Sequence, residues 1–113
     1  MRLDRLKACA LALPQTTVVS QWGGLVFKVA GKAFLMIPLD GGVMDGLTVK
    51  CTPEEFADLT ANEGVTQAPY CAKRLWVRVE EEARPEPELL RLIRRSYDLV
   101  VAKLPKKVQA TLR

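Results

Sequence analysis

Trp76 stands between two cations, with Arg74 and Arg78 each two residues away in Arg74-Leu75-Trp76-Val77-Arg78. On an extended chain successive side chains point to opposite faces, so Leu75, Val77 and Val79 share one side. Arg74, Trp76, Arg78 and Glu80 then share the other. The same alternation sets Lys28 opposite Phe27 and Val29, and sets Thr48 and Lys50 opposite the apolar side of their own segment. If these faces coincide, one sheet surface carries Lys28, Lys50, Arg74 and Arg78 around Trp76. Cations bracketing an aromatic ring on an open sheet can take phosphates while the ring stacks or wedges. The pattern also fits an ordinary half-solvated sheet face, with Trp76 shielded by arginine stems.

No other residue set asks for chemistry. The chain has no histidine, the commonest general base near neutral pH and the commonest metal ligand. Ser20 and Ser96 are its only serines, and neither sits in a nucleophile elbow. Ser96 falls inside a helical segment, where packing is its expected role. Asp40-Gly41-Gly42 lacks the spacing of a phosphate-cradling loop and reads as a hairpin connection. Glu80-Glu81-Glu82 could gather a hard cation, but consecutive residues on an extended chain point to alternate sides. The expectation is a binding protein with no catalytic residues, no metal and no cofactor. Cysteines at 9, 51 and 71 form no close pair, which excludes a CxxC motif or a zinc ribbon and predicts reduced thiols in the cytoplasm.

Length and charge set the frame. The 113 residues suit a single domain over 1–113, with 49% hydrophobic and 27% charged residues in globular balance. Apolar runs are short and broken by charge or proline, and the opening Met1-Arg2-Leu3-Asp4-Arg5 has no continuous apolar stretch. Neither a membrane span nor a secretory signal is predicted. The net charge of +4 comes from 17 basic and 13 acidic residues. Five glutamates (80, 81, 82, 86 and 88) crowd one linker, so the remaining surface is more basic than the total. From Lys103 to Arg113 there are four basic residues and no acidic one.

The elements that position these residues follow from periodicity. Leu3, Leu6, Ala10 and Leu13 recur at helical spacing until Pro14. Residues 25–29 and 33–37 are strand-forming, joined through Ala30-Gly31-Lys32 as a tight hairpin in which Gly31 takes any positive φ. Residues 47–51 alternate as a third strand. Thr52-Pro53-Glu54-Glu55 is a capping box with proline at the first helical position, and the helix it opens is expected to bury Phe56 and Leu59. Residues 75–79 form another strand, and 65–70 an edge strand, because Pro69 cannot donate to a ladder. The last helix starts near Pro87, carries Leu89, Ile93, Tyr97, Val100 and Leu104 on one stripe, pairs Arg94 with Asp98, and ends at Pro105. Lys106 and Lys107, beyond that proline, can reach a phosphate or simply keep the terminus soluble. This order predicts an α+β fold, an antiparallel sheet with helices on one face.

Four segments, in order, resemble the MmcQ/YjbR family. They are Val26-Phe27-Lys28-Val29-Ala30-Gly31-Lys32-Ala33-Phe34, Val49-Lys50-Cys51-Thr52-Pro53, Ala68-Pro69-Tyr70 with Trp76-Val77, and Ser96-Tyr97-Asp98-Leu99-Val100-Val101-Ala102-Lys103-Leu104-Pro105-Lys106-Lys107. The resemblance implies a CyaY-like (frataxin-like) twisted antiparallel sheet backed by helices. It also implies a DNA-binding role in which two hairpins act as wings. Where many members carry histidine between the tyrosine and the tryptophan, this chain has Cys71-Ala72-Lys73-Arg74-Leu75. A frataxin-like iron role would need an acidic first helix, and here Arg2, Arg5 and Lys7 face a lone Asp4. The function expected is weak, sequence-tolerant DNA binding through Lys28, Lys50, Arg74, Trp76, Arg78, Lys106 and Lys107. The alternative is a non-enzymatic protein-interaction or small-ligand domain using the same surface, its protein partner not specified by the sequence.

Overall fold

The structure, a computed structural model, describes residues 2–112. Arg113, counted among the basic residues of the tail, and Met1 lie outside the described residues. The first helix, α1 (Arg2–Ala12), buries Leu6 and Ala10, and Leu13 just beyond it, as the apolar spacing requires. Seven strands follow in one sheet: β1 (Thr16–Gln21), β2 (Gly24–Val29), β3 (Lys32–Asp40), β4 (Val43–Met44), β5 (Leu47–Lys50), β6 (Val65–Gln67) and β7 (Trp76–Val79). Every pairing is antiparallel, in the order β1-β2-β3-β5-β7-β6, with β4 on the far end of β3. Helix α2 (Pro53–Thr60) connects β5 to β6, and α3 (Glu86–Ala102) and the short α4 (Lys106–Ala110) close the chain. The helices lie on one side of an open sheet, the α+β layering expected from the sequence. No described helix is long and apolar enough to cross a membrane.

The register divides the side chains into two sets. Val18, Phe27, Leu35, Val49 and Val77 stand opposite one another across five strands and face the helices. One residue along, Val19, Val26, Met36, Thr48, Arg78 and Thr66 form the matching row on the open face. Two hairpins close on two-residue turns with both residues at positive φ, the mirror-image turn whose twist suits paired strands. They are Trp22-Gly23 (52° and 74°) and Ala30-Gly31 (50° and 77°).

Several features depart from the sequence expectation, among them helix α4 beyond Pro105 and a β6 that stops at Gln67, short of the expected Tyr70. Strand β1 is additional, and so is the short β4. Strand β7 begins at Trp76, leaving Arg74 in the preceding turn at φ 64°. Helix α2 does carry the complete Thr52/Glu55 capping box, but it buries no residue fully, and Phe56 and Leu59 are half-buried.

Between β3 and β5 the ladder is short. Only Leu35↔Val49 and Met36↔Thr48 pair, and the β2–β3 register slips between Phe27 and Lys28, leaving Phe34 as an extra bulged residue. Where the strands part, α3 inserts a side chain. The hydroxyl of Ser96, fully buried, donates to the Phe34 carbonyl at 2.5 Å and accepts from the Lys50 amide at 2.8 Å. The next residue, Tyr97, meets the Phe34 ring edge-on at 5.3 Å, and its hydroxyl donates to the Pro14 carbonyl just after α1. Ser96 and Tyr97 thus bolt α3 to the sheet and to the end of α1.

Candidate nucleic-acid interface

The divergence of β3 from β5 leaves a cleft. It is lined by Lys32 and Ala33 of β3, Lys50 of β5, Trp76 of β7, and Val100, Lys103 and Leu104 at the end of α3, with a volume of about 310 Å³. Lys50 and Trp76 are directly opposite in register, and the Lys50 ammonium lies 5.2 Å from the indole centroid. That contact holds the cation over the ring and covers part of the ring's face. Three lysines from three separate elements therefore share a cleft whose other lining residues are apolar or aromatic, with no carboxylate among them. On its other side Lys50 borders a shallow pocket containing Glu55 and Asp58, where Glu55 is already paired with Arg95 at 3.0 Å. Burial alone would raise the Glu55 pKa, but the hydrogen bonds from Thr52 and the Arg95 guanidinium outweigh it and hold the carboxyl below its usual value.

Basic residues divide by type. All six described ion pairs are made by arginines, from Arg5–Glu86 to Arg95–Glu55, and no described lysine forms one. Arg78 faces the open side as expected, but its guanidinium bonds the Asp45 carboxylate at 3.0 Å and the Asp45 carbonyl at 2.9 Å, with Glu80 at 3.6 Å. Arg74 turns toward α2 and lies 5.2 Å over the Phe56 ring, with a long hydrogen bond to the Pro53 carbonyl. Of the five residues expected on one sheet surface, Lys50 and Trp76 meet directly, whereas both arginines are engaged elsewhere. Lys28 pairs in register with Ala33, which lines the cleft, so it stands beside the cleft on β2. Lys106 and Lys107 are exposed in the first turn of α4, two and three residues beyond Leu104.

Sequence reasoning did not single out Lys32, and it counted Lys103 only among the basic residues of the C-terminal tail. One sits at a hairpin and the other caps a helix, and only the fold brings them to Lys50. A second feature also went unseen. On the open face, one step along from the lysines, a groove of about 240 Å³ runs between the β1–β2 turn and the loop after β6. Its floor is Val26, Met36 and Thr48, and its flanks include Trp22 and Tyr70. These two rings are 80% and 108% exposed, and both backbones sit at positive φ, 52° and 61°. A bulky residue there costs on the order of 1–2 kcal/mol relative to ordinary backbone. The signal for Trp22 was present: a β-branched run, Thr16-Thr17-Val18-Val19, ahead of Trp22-Gly23-Gly24 reads as strand and turn.

Comparison with known proteins agrees with this architecture. The YjbR family model matches residues 11–99. The crystal structure of Deinococcus radiodurans protein DR2400, a DUF419 domain, superposes with a TM-score of 0.85 at 26% identity, over 97% of this chain and 86% of that one. A Pseudomonas syringae protein shares the fold with a TM-score of 0.70 at 20% identity, over 88% of this chain and 98% of its own. No curated protein matches the chain.

Proposed function

The chain belongs to the YjbR family, and on that footing we propose that it is a cytoplasmic, non-enzymatic DNA-binding protein that holds phosphates in the lysine-lined cleft. One observation carries the reading: Lys32, Lys50 and Lys103 converge without a carboxylate in the lining, while the described ion pairs are left to arginines. Ammonium groups without a carboxylate partner are point charges suited to exchange water for a phosphate oxygen. Lys28 on one flank, and Lys106 and Lys107 beyond Leu104, extend the basic surface past the cleft. Trp76 works here as the platform that positions Lys50, since the ammonium already lies over its ring. Contacts of this kind recognise the backbone, so the binding is sequence-tolerant and of micromolar strength or weaker. Absence of histidine fixes the charge of the surface across the neutral range.

A salt titration tests the proposal. Three phosphates neutralised in the cleft give a log–log slope of about −2.7 on duplex DNA, from roughly −0.9 per phosphate. Lys32→Ala, at an exposed hairpin position, is expected to make the slope shallower by about one phosphate and to weaken all sequences alike. Replacing Lys106 and Lys107 together is expected to weaken binding further with the melting temperature unchanged. No binding at low salt, or a slope indifferent to Lys32→Ala, overturns the reading.

A further inference from the structure

We propose that the groove between Trp22 and Tyr70 receives an unstacked base of single-stranded DNA whose phosphate is held in the neighbouring lysine cleft. The proposal rests on the phosphate reading of that cleft and adds what the open sheet face does beside it.

Position is the first argument. Thr48 and Arg78 lie on the groove, and Lys50 and Trp76 lie on the cleft. Each pair is directly opposite in register, and the two pairs are two residues apart on the same two strands. They therefore share one face at a separation of about 7 Å along the strands. A nucleotide spans such a step from its phosphate to its base.

The second argument is the lining. Trp22 and Tyr70 stand outside the core, each on a loop at an edge of the groove, and nothing in the fold needs their rings there. Val26 and Met36 give an apolar floor for a flat ring, and exposed aromatic faces accept any base by stacking.

Gln21 supplies the third. It lines the same groove, and its side-chain Oε1 is buried with no hydrogen-bond partner among the described residues. A buried acceptor oxygen without a donor calls for one. The pairing edge of each base carries an N–H donor from which that oxygen can accept. A duplex keeps these edges paired and its rings stacked, so the groove selects for single strands.

The test uses fluorescence anisotropy with a labelled oligothymidylate, and with an abasic deoxyribose-phosphate oligomer of equal length that keeps every phosphate and lacks every base. The native chain is expected to bind the thymidylate about ten-fold more tightly than the abasic strand, the scale of one stacked base. Trp22→Gly and Tyr70→Gly suit the positive φ at both sites, so neither is expected to lower the melting temperature. Each is expected to bring the ratio toward one while leaving abasic affinity and its salt slope intact. Equal, salt-dependent binding of both strands by the native chain overturns base insertion and leaves the lysine cleft standing. A ten-fold ratio surviving in both variants overturns the assignment to this groove. Binding of neither strand at low salt overturns the phosphate reading, and this proposal with it.

Discussion

Replacing Ser96 with alanine removes one oxygen atom and two hydrogen bonds, and the structure sets the scale of the loss. The Phe34 carbonyl is left in the core with no partner, because its donor was the Ser96 hydroxyl. A buried acceptor stranded in this way costs about 1–3 kcal/mol. The Lys50 amide, part-buried, loses its acceptor as well and adds roughly 1 kcal/mol. The sum, about 2–4 kcal/mol, is a large share of the 5–15 kcal/mol typical of a small domain and lowers Tm by roughly 10 °C. Equilibrium urea unfolding measures it, and the midpoint is expected to fall while the m-value holds, since the surface exposed on unfolding is unchanged. A loss below about 1 kcal/mol would refute the reasoning. It would mean that β3 and β5 close directly on each other once the hydroxyl is gone, so that Ser96 is no spacer and the lysine cleft does not depend on it.

Phe27, fully buried in the helix-facing row, is expected to cost about 3–5 kcal/mol on truncation to alanine. A loss under 1 kcal/mol in the same unfolding assay would invert the assignment of faces. Cys51 provides a pH test, because burial first and the nearby Glu55 second push its thiol from 9.0 up to about 11, against the opposing pull of Lys50. The unfolded chain releases this proton first, so stability is full below pH 9 and declines as pH rises toward 11. Cys51→Ala is expected to lack that part of the decline, and identical pH profiles for the two chains would count against the buried thiol.

Much of the fold was legible because it is local. The Leu6/Ala10/Leu13 stripe, the Thr52/Glu55 capping box and the Ala30-Gly31 turn are each specified within a few residues. The layered antiparallel sheet follows from the order of such pieces. Strand β1 was missed because Trp22-Gly23 is not a common mirror-image turn pair, although the β-branched run before it was informative. The site was harder to read. Alternation assigns a face, but it does not reveal which cation is already neutralised. The partner of Arg78 lies 33 residues away at Asp45. Arg74 left the strand through a turn at positive φ, a conformation that its residue type does not announce. Ser96 reaches across 62 residues to Phe34, so its motif could be recognised by likeness while its work stayed hidden.

The division of labour between the two basic residue types separates outward charge from ion pairing. Arginines make the described ion pairs that join α1, α2, α3 and the loops, and lysines carry the outward charge of the cleft. Acylation of a lysine side chain removes a positive charge and leaves guanidinium groups untouched. Such a modification at Lys32 or Lys103 would turn down attraction to an anion without breaking any described ion pair. Changing the outward charge, by acylation or by substitution of those lysines, therefore leaves the described ion pairs of the scaffold in place.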